Sequence, residues 1–367
     1  MITVDDDTRK NLRDTFSTAS ESSVVLGFDG FVDVVHEMVA TRHDVSDYDR
    51  IESLGSLGER ILLSADQNSS QTIEWVPQST GPGGYTTHCG KALQALGAQV
   101  KFVGTFGQPI ADPFADEFDP DLLQSVGEPT ETHAVEFGDA KLILINSRTQ
   151  LVLGWSHLND QLGKNHFAQM VDGCDALGIG TWGKIPNSPS IWDGLRTEVF
   201  PHLDDPPAHV LLDVGNVRLL DREALVDGAV RLRRLNETVP VTISGNRGEI
   251  NYLAEQLSGQ SSKSFRQSAV DARESLGVRR IIGHNASRVV LSTADETTDI
   301  QTPVIDDPTK LLSAGDKFNA GIILGLQYGL RSRVLLLAGD LVARFFVENG
   351  RCPRSDEICS ALDANFR

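Results

Sequence analysis

The sequence predicts an α/β fold in which a doubly wound, mostly parallel sheet is flanked by helices and carries a small inserted β lid. The first observation behind this prediction is that, from residue 175 onward, short apolar segments are mostly separated by helical ones. That alternation is typical of a parallel sheet covered on both faces. The apolar segments are 176–180, 209–213, 241–244, 280–283 and 288–291, and the helical segments include 191–200, 222–235 and 265–276.

The second observation concerns the lid. Three short apolar segments follow one another with only brief turns between them, which predicts a small antiparallel unit. These segments are 134–137, 141–146 and 150–155, with Gly138-Asp139 as the first turn. We therefore expect two structural parts. The main domain comprises 1–30, 81–130 and 156–367, and the lid with its associated insertion comprises 31–80 and 131–155.

The N-terminal third supplies the first strand and helix of the main domain. Residues 22–31 form an apolar run that ends in glycine turns, which predicts a buried strand. The polar stretch after it contains one amphipathic piece, 49–63. Beyond the glycine- and proline-rich break at 81–84, residues 86–96 predict a helix and residues 99–106 predict the next strand.

Composition excludes several classes of partner. The chain has 367 residues and a formal net charge of -18, from 51 acidic and 33 basic residues. Nucleic acids and anionic membranes both require basic surfaces, so neither is an expected partner. Strong acidity with few lysines resembles proteins of salt-loving archaea. A phosphate site on such a chain has to be a local island of N–H donors, a metal ion and a few basic side chains.

The expected location is the cytoplasm. None of the four cysteines belongs to a Cys-x-x-Cys pair, so neither a zinc site nor a disulfide framework is expected. The N-terminus is acidic and polar, without the apolar core of a signal peptide. No apolar run approaches the roughly 18 residues that cross a bilayer.

The most informative motif is Ser313-Ala314-Gly315-Asp316, which precedes an apolar helical run at 320–330. Backbone N–H groups at a helix start, together with the helix dipole, favour an anion. An aspartate beside a phosphate can accept the proton of a hydroxyl that attacks that phosphate. Asp316 therefore indicates a kinase for a small hydroxylated molecule.

Other candidates lie where strands end. Asp29 and Asp33 can accept hydrogen bonds from sugar hydroxyls, or one of them caps a turn. Gly83 and Gly84 let the backbone approach a ligand closely, or simply break the chain before a helix. His88, in the first turns of that helix, is a ligand contact or a structural side chain.

Two later candidates have similarly plain alternatives. Asn246 and Glu249, three residues apart, can hold Mg²⁺ through water molecules, or they form a helix cap. Asp213, at another strand end, can orient phosphates or can merely end the strand. Arg148, in the predicted lid hairpin, can reach a substrate phosphate or remain a solvated turn residue.

Taken in chain order, these motifs resemble those of the ribokinase-like (PfkB) carbohydrate kinases. That family has an aspartate-bearing strand end, a double glycine before a helix, an Asn-x-x-Glu motif and a Gly-Ala-Gly-Asp turn. The resemblance extends over roughly 23–350. The counterparts are Asp29 with Asp33, Gly83 with Gly84, Asn246 with Glu249, and Ser313 to Asp316.

The resemblance implies phosphoryl transfer from ATP or ADP to a hydroxyl of a sugar or sugar phosphate, with Mg²⁺. Asp316 would be the base, in the turn that begins at Ser313, and the N–H groups of Ala314, Gly315 and Asp316 would bind the transferring phosphoryl group. Asn246 and Glu249 would organise Mg²⁺ and its waters. The implied acceptor contacts are Asp29, Asp33, Gly83, Gly84, His88 and Arg148, and the implied nucleotide contacts are Asn246, Lys317 and Asn319.

Departures from the family pattern keep alternatives open. Ser313 replaces a glycine, Lys310 replaces part of an Asp-Thr-Thr lead-in, and His88 replaces a common asparagine. A lysine at a helix start opposes the dipole, so Lys317 either binds phosphate or is solvated. The alternatives are a nucleoside kinase, for which Trp75, Tyr85 and Trp155 could supply base stacking, and a silent sugar- or nucleotide-binding regulator. Lids of this family often build dimers, so a homodimer through the lid is also expected.

Overall fold

The computed structural model describes residues 5–138, 140–261 and 263–365; Asp139 of the predicted lid turn and residues 1–4 lie outside this range. Nine strands form the large sheet and five form a smaller one. The strands are β1 (Ser23–Gly27), β2 (Phe31–Arg42), β3 (Tyr48–Arg50), β4 (Trp75–Gly83), β5 (Gln99–Gly104), β6 (Leu123–Ser125), β7 (Thr130–Glu136), β8 (Lys141–Ile145), β9 (Ala176–Ile179), β10 (His209–Asp213), β11 (Val241–Asn246), β12 (Arg280–His284), β13 (Arg288–Ser292) and β14 (Thr297–Gln301).

The large sheet has the order β14-β13-β12-β11-β10-β9-β1-β5-β6. From β12 to β6, each strand runs parallel to its neighbours, while β13 and β14 turn antiparallel at one edge. The parallel strands are almost continuously buried, as expected where helices cover both faces. The predicted α/β class and mostly parallel sheet are therefore confirmed.

Helices cover both faces of the large sheet, and an apolar core fills each interface. Helices α1 (Asp6–Ser17), α3 (Tyr85–Ala95), α12 (Ala314–Gln327) and α13 (Ser332–Asn349) pack on one face, and α7 (Lys164–Val171), α9 (Arg222–Thr238), α10 (Arg247–Ser258) and α11 (Phe265–Leu276) pack on the other. None of the described helices is both long and apolar enough to cross a membrane. The helices are α1 (Asp6–Ser17), α2 (Leu54–Asp66), α3 (Tyr85–Ala95), α4 (Asp112–Ala115), α5 (Arg148–Val152), α6 (Trp155–Leu162), α7 (Lys164–Val171), α8 (Ser188–Gly194), α9 (Arg222–Thr238), α10 (Arg247–Ser258), α11 (Phe265–Leu276), α12 (Ala314–Gln327), α13 (Ser332–Asn349) and α14 (Ser355–Asn365).

The smaller sheet is built around the long strand β2. Strand β7 pairs with one edge of β2 in parallel, and β8 pairs with β7. Strands β4 and β3 pair antiparallel with successive parts of β2. A small apolar cluster that includes Met38, Leu57 and Val135 lies between this sheet and α2. We call this sheet the lid, and its closure over a substrate remains a prediction.

Two sequence expectations differ from the structure. The predicted strand at 150–155 is wrong, because Arg148–Val152 is a short helix and Trp155 begins another. Trp155 N donates to Ser190 Oγ at 3.0 Å, which fixes that helix start. An apolar run of this length suits a short helix as well as a strand, so periodicity alone does not separate them. The long strand β2 was not predicted as a separate element.

Candidate active site

Polar side chains from four neighbouring strands gather at one edge of the large sheet. Asp29 follows β1, Lys184 follows β9, Asp213 ends β10 and Asn246 ends β11. Asp316, in the first turn of α12, belongs to the same group, because Asp213, Asp29 and Lys184 all act on its charge. In open α/β sheets, ligands bind beyond the carboxyl ends of the strands, and this edge is where those ends meet.

Asp316 is a half-buried carboxyl in a crowded negative field. Burial raises the pKa of Asp316 well above its ordinary value, and the nearby carboxylate of Asp213 raises it further. Lys317 and Lys184 act in the opposite direction. A carboxyl whose pKa is raised toward neutrality is a stronger proton acceptor than an ordinary aspartate. The electrostatics therefore suit the role that the sequence predicts for Asp316.

The turn before α12 is partly closed by its own backbone. Ser313 has φ 66° and ψ 11°, the left-handed conformation for which glycine is favoured. Ala314 N donates to Leu311 O at 3.3 Å, and Asp316 N donates to Ser313 O at 3.1 Å. Gly315 N has no acceptor among the described residues. Of the three predicted anion-binding N–H groups, the structure thus leaves that of Gly315 open for a ligand.

Asp29 holds the start of α3. Its Oδ1 accepts from Thr86 N at 2.8 Å and from Thr86 Oγ1 at 2.6 Å, and its Oδ2 accepts from Tyr85 N at 3.0 Å. The side chain is 0% exposed. Both oxygens are therefore engaged by the orphan N–H groups of a helix start. Direct contact with a sugar hydroxyl, predicted from the sequence, would require this buried cap to open.

Asp33 lies on β2 of the lid and is half-buried. Burial raises the pKa of the Asp33 carboxyl, which Lys184 and Thr132 partly offset. Gly83 lies against it, since a Cβ added at Gly83 would be 2.1 Å from Asp33 Oδ2. Lys184 Nζ lies 4.8 Å from the centre of the Phe31 ring. A lysine, a carboxylate and a glycine backbone thus meet where the lid joins the main domain.

Gly84 lies beside Gly83 at the start of α3, with φ 96°. A Cβ there would be 2.8 Å from the Phe31 ring and 3.0 Å from Asp29 Cγ. The double glycine therefore has a packing function: it lets the chain pass between two carboxylates and an aromatic ring. It also brings backbone to the surface that the acceptor is predicted to occupy.

His88 marks the positive part of the site. Burial lowers the pKa of His88 well below its ordinary value, and the charges of Lys317, Lys310, Lys184 and Lys91 lower it further. The imidazole is therefore neutral at physiological pH. These lysines place positive charge around His88, although Lys91 forms an ion pair with Glu117 and Lys317 donates to His88 O.

The predicted nucleotide contacts Lys317 and Asn319 are engaged within the protein. Lys317 is 2% exposed, and its Nζ donates to His88 O. Asn319 Nδ2 donates to Asp213 Oδ2 at 2.8 Å, and Asn319 Oδ1 accepts from Ser244 Oγ at 2.5 Å. Asn319 thereby fixes α12 to strands β10 and β11. Nucleotide contact by either side chain remains a prediction that would require these bonds to change.

Asn246 and Glu249 form a capping box at the start of α10. Asn246 Oδ1 accepts from Glu249 N at 3.1 Å, and Glu249 Oε2 accepts from Asn246 N at 2.8 Å. Burial and the charge of Asp213 raise the pKa of Glu249 to about 8. Of the two alternatives for this motif, the structure therefore shows the helix cap. The capping box engages Asn246 Oδ1 and Glu249 Oε2. The other Glu249 oxygen is compatible with binding to a hydrated cation.

A cavity of about 680 Å³ adjoins the Ala314–Gly315 turn. Strands β12 and β13, the segment 302–311 and α13 form its walls, and Asn246 lies at its rim. Its volume falls within the range of sites for small molecules and cofactors. Because the cavity reaches the predicted anion turn, it is the candidate site for the nucleotide.

Arg148 stands apart from the group just described. It begins the short helix α5 and is exposed, and its backbone N donates to Asn146 Oδ1 at 3.4 Å. No contact to the other candidate residues is seen in the described structure. Phosphate binding by Arg148 remains a prediction from the sequence.

Comparison with known proteins identifies the family. The family model described as prokaryotic ketohexokinase matches residues 4–365. A ketohexokinase from Haloferax volcanii is 36% identical over 335 residues, covering 91% of this chain and 89% of that protein. The chain belongs to the prokaryotic ketohexokinase family. It is accordingly a carbohydrate kinase, a phosphotransferase with an alcohol group as acceptor, which confirms the predicted enzyme class.

Solved structures share the fold of this ketohexokinase-family chain. A ribokinase from Arabidopsis thaliana, complexed with ribose and ATP, has a TM-score of 0.62 at 17% identity, covering 93% of this chain and 98% of that one. A ribokinase from Thermotoga maritima has a TM-score of 0.60 at 16% identity, covering 94% and 99%. The resemblance to ribokinase-like kinases is therefore confirmed. The halophilic archaeal relative agrees with the acidic composition.

Lys184 is the main residue of this ketohexokinase-family site that the sequence did not reveal. Its charge acts on Asp33, Asp213, Glu249 and Asp316. It follows β9 in a single turn of 3-10 helix, within a segment that matches no motif quoted above. Its position directly after an apolar strand was the available signal, because every other residue of the group also follows a strand or begins a helix.

Proposed function

We propose that this protein transfers the terminal phosphoryl group of ATP to a hydroxyl of a ketohexose, with Asp316 as the general base. The observation that carries the proposal is the placement of Asp316 in the first turn of α12, beside the Gly315 N–H and the nucleotide-sized cavity. The ketohexose acceptor follows from the name of the family and of its Haloferax volcanii relative.

Asp316 accepts the proton of the attacking hydroxyl. Its pKa is raised by burial and by Asp213, so that proton transfer to its carboxylate becomes more favourable as the hydroxyl attacks. The charges of Lys317 and Lys184 act in the opposite direction and favour the ionised carboxylate. The pKa of Asp316 is therefore governed by two opposing effects, one from burial and Asp213 and the other from the two lysines.

The transferring phosphoryl group meets donors and positive charge. Gly315 N–H points from the helix start, where the dipole of α12 also favours an anion. Lys184, whose charge acts on Asp33, Asp213, Glu249 and Asp316, would neutralise the charge that spreads over the phosphoryl oxygens. These groups are positioned before the reaction begins, so little reorganisation accompanies transfer.

The residues present fit a hydrated Mg²⁺. Among the described side chains, no three His, Cys, Asp or Glu residues are grouped as direct metal ligands. However, burial and then the charge of Asp213 raise the pKa of both Glu249 and Asp316, so carboxyl groups lie near one another in a poorly solvated site. Mg²⁺ retains several waters and binds through few carboxylates. Glu249 and Asn246 would hold it through those waters, and it would supply charge neutralisation at the phosphates.

The acceptor is proposed to lie between Asp33 and Lys184. Asp33 would accept hydrogen bonds from hydroxyls, with the Gly83 backbone packed directly against its carboxylate and Lys184 near the neighbouring Phe31 ring. His88, held neutral, can both donate to and accept from a hydroxyl. A free sugar can satisfy the hydrogen-bonding groups of this region. Because four lysines act on His88, a sugar phosphate is the second acceptor to test.

The nucleoside alternative has less support. Tyr85 is buried beneath Gly180, and Trp155 packs on Gly194. Trp75 stacks on His36, at a ring-centre distance of 4.5 Å, and so is occupied within the lid. The aromatic residues that the sequence offered for base stacking therefore serve other packing contacts.

A homodimer through the lid is also proposed. Strand β8 lies at the edge of the lid sheet, and Ile143, Leu144 and Ile145 are 47%, 46% and 40% exposed. Successive residues of a strand point to opposite faces, so both faces of this edge are apolar and open. A second copy would cover them. Leu144→Glu is expected to shift sedimentation from dimer to monomer; a wild-type monomer at all concentrations would contradict this proposal.

The main test is Asp316→Asn, assayed with ATP, Mg²⁺ and a ketohexose in high salt. The amide preserves shape and removes the base, so kcat is expected to fall by about 10² to 10⁴. Nucleotide affinity, measured by calorimetry, should change little. Asp295→Asn, which changes an exposed aspartate in the turn between β13 and β14, is the matched control. Unchanged kcat in Asp316→Asn would refute the assigned role.

A further inference from the structure

A buried lysine lies directly beside the proposed base. Lys317 follows Asp316 in the first turns of α12, and it is 2% exposed, the only buried lysine of the described chain. Lysines are almost never fully buried unless they are paired, because the ammonium group loses its hydration in the interior. The dipole of α12 also disfavours a positive charge at the start of that helix. Two unfavourable effects therefore act on Lys317, which calls for a compensating role.

The side chain of Lys317 contacts neighbouring helices of the protein. Its Nζ donates to His88 O near the start of α3. It also lies 5.3 Å from the centre of the Phe346 ring of α13, within reach of a cation–π contact. Gly315 and Phe318, on the same turns of α12, line the nucleotide cavity, whereas Lys317 does not. The ammonium group therefore connects α12 with α3 and α13 outside the lining of that cavity.

These contacts join two parts of the site. Helix α12 carries Asp316 and the Gly315 N–H, and α3 begins directly after Gly84, where the backbone borders the proposed acceptor region. Because Lys317 follows Asp316 in the chain and binds His88 O, a movement of the base relative to α3 would break this hydrogen bond. The placement of the base beside the acceptor region therefore depends on the Lys317 contact.

We propose that Lys317 is a positioning residue for phosphoryl transfer, whose buried ammonium group holds the start of α12 against α3 and keeps Asp316 in the carboxylate form that accepts the hydroxyl proton. This inference rests on the proposed function, because it takes Asp316 as the general base. It also replaces the direct nucleotide contact that the sequence predicts for Lys317 with an indirect role. The lysine acts through Asp316 and through the position of its helix, and it touches neither substrate.

Charged groups from four parts of the site act on Asp316. Burial raises the pKa of Asp316 most, Asp213 at the end of β10 and Asp29 after β1 raise it further, and Lys317 and Lys184 lower it. Removal of Lys317 should therefore raise the pKa of Asp316 again. Because the base acts as a carboxylate, kcat/KM falls as the pH falls through this pKa. Without Lys317, the acidic limb of the pH profile should lie at higher pH.

The groups around Lys317 agree with this pairing. Burial lowers the pKa of Lys317 most, and Lys91 adds to that effect. The thiol of Cys352, the carboxyl group of Asp316 and the thiol of Cys89 act in the opposite direction. Asp316 is the only carboxyl group among these neighbours. Each of the two charges thus favours the ionised form of the other.

Two other roles for Lys317 predict different results. If the lysine only connects helices, its loss lowers the stability of the protein and leaves the acidic limb in place. If it binds the nucleotide directly, its loss weakens the binding of ATP. The positioning role predicts a shifted acidic limb with stability and ATP affinity both retained. The pH profile of kcat/KM, the unfolding midpoint and the dissociation constant of ATP therefore separate the three roles.

The main variant is Lys317→Met, tested as the full chain with ATP, Mg²⁺ and a ketohexose in high salt. Replacing a buried charged group by an apolar one of similar volume is often neutral or stabilising, and Asp316 can take up a proton, so the midpoint of guanidinium unfolding should not decrease. The acidic limb of kcat/KM should move to higher pH by about one unit, which is about a tenfold loss of activity below the limb. The dissociation constant of ATP, measured by calorimetry, should stay within about twofold of wild type.

Two further variants serve as controls. Lys317→Arg keeps the charge, so its acidic limb should stay at the wild-type position. Lys164, the first residue of α7, has a 46% exposed side chain that pairs with Glu198. Lys164→Met therefore removes a lysine from a helix start outside the site, and it should change none of the three readouts.

Three results for Lys317→Met would overturn this inference alone, provided that Asp316→Asn is inactive. They are an acidic limb at the wild-type position, a lower unfolding midpoint or failure to fold, and an ATP dissociation constant raised by about tenfold or more. The second result would assign Lys317 a structural role, and the third would restore it as a nucleotide contact. Wild-type kcat in Asp316→Asn would overturn the proposed function and this inference with it.

Discussion

Replacing Asp29 by asparagine should destabilise the protein rather than weaken its sugar binding directly. The asparagine keeps one oxygen, which still accepts from Thr86 N and Thr86 Oγ1. Its amide nitrogen then faces Tyr85 N, which loses its 3.0 Å acceptor. An unsatisfied buried donor costs about 1–3 kcal/mol. Loss of the negative charge at the start of α3 adds about 0.3–1 kcal/mol. We therefore expect the free energy of unfolding to decrease by about 1–4 kcal/mol.

The assay is guanidinium unfolding, followed by circular dichroism, for the wild type, Asp29→Asn and Asp33→Asn. The midpoint should decrease strongly for Asp29→Asn and little for Asp33→Asn, which caps no helix. Steady-state kinetics on the same samples should show the converse, with the ketohexose KM raised mainly in Asp33→Asn. Wild-type stability of Asp29→Asn, combined with a raised KM, would refute the assignment of Asp29 to the helix cap and restore it as a sugar contact.

Three further predictions concern neighbouring residues. Gly83→Ala places a Cβ 2.1 Å from Asp33 Oδ2 and should raise the ketohexose KM by about tenfold to a hundredfold, while Gly81→Ala, on the same strand with nothing within 4 Å, should have no effect in the same assay. Lys184→Met should lower kcat/KM by about tenfold or more with partial recovery in Lys184→Arg, and equal activity of all three proteins would contradict its electrostatic role. Burial lowers the pKa of His284 from 6.5 to about 4, so the stability that the neutral imidazole contributes is present above pH 6.5 and is lost as the pH falls toward 4. Thermal scans of His284→Gln should therefore show a smaller loss of stability over that pH range than wild type, by up to a few kcal/mol at about 1.4 kcal/mol per pH unit. Parallel curves for the two proteins would exclude this effect.

The sequence predicted helices and strands correctly where the local spacing of apolar residues agrees with the position of the element in the fold. Strand β10 lies where predicted because its short apolar run is flanked by helical segments, and helix α11 does so because its buried residues recur at helical spacing. The segment 150–155 failed that criterion, since its apolar residues satisfy a short helix and a strand equally. The long strand β2 was missed because its residues alternate between partial and full burial, without a continuous apolar run.

The candidate site was predictable in its residue types but not in their partners. Asp316 and Glu249 could be identified from spacing, because a helix start dictates where N–H groups point. The hydrogen bonds that occupy both oxygens of Asp29 come from Tyr85 and Thr86, which lie 56 and 57 positions away in the chain, so local sequence does not predict them. Lys184 belongs to no motif, and only the sheet order, which places β9 between β1 and β10, brings it to the carboxylates.

The lid joins the main domain at one end, so its far end can move furthest when the lid rotates. Its strands leave the main domain at Gly30 and Gly83, and Thr105 Oγ1 and Thr130 N both donate to Gly30 O at 3.0 Å. A Cβ at Gly30 would be 2.3 Å from Thr105 O, so the two backbones are in close contact at this point. Trp75 lies at the opposite end of β4, about 26 Å away at roughly 3.3 Å per residue. A small rotation of the lid about this attachment point would therefore displace Trp75 by a larger distance. The fluorescence of its half-exposed indole would report movement of the lid.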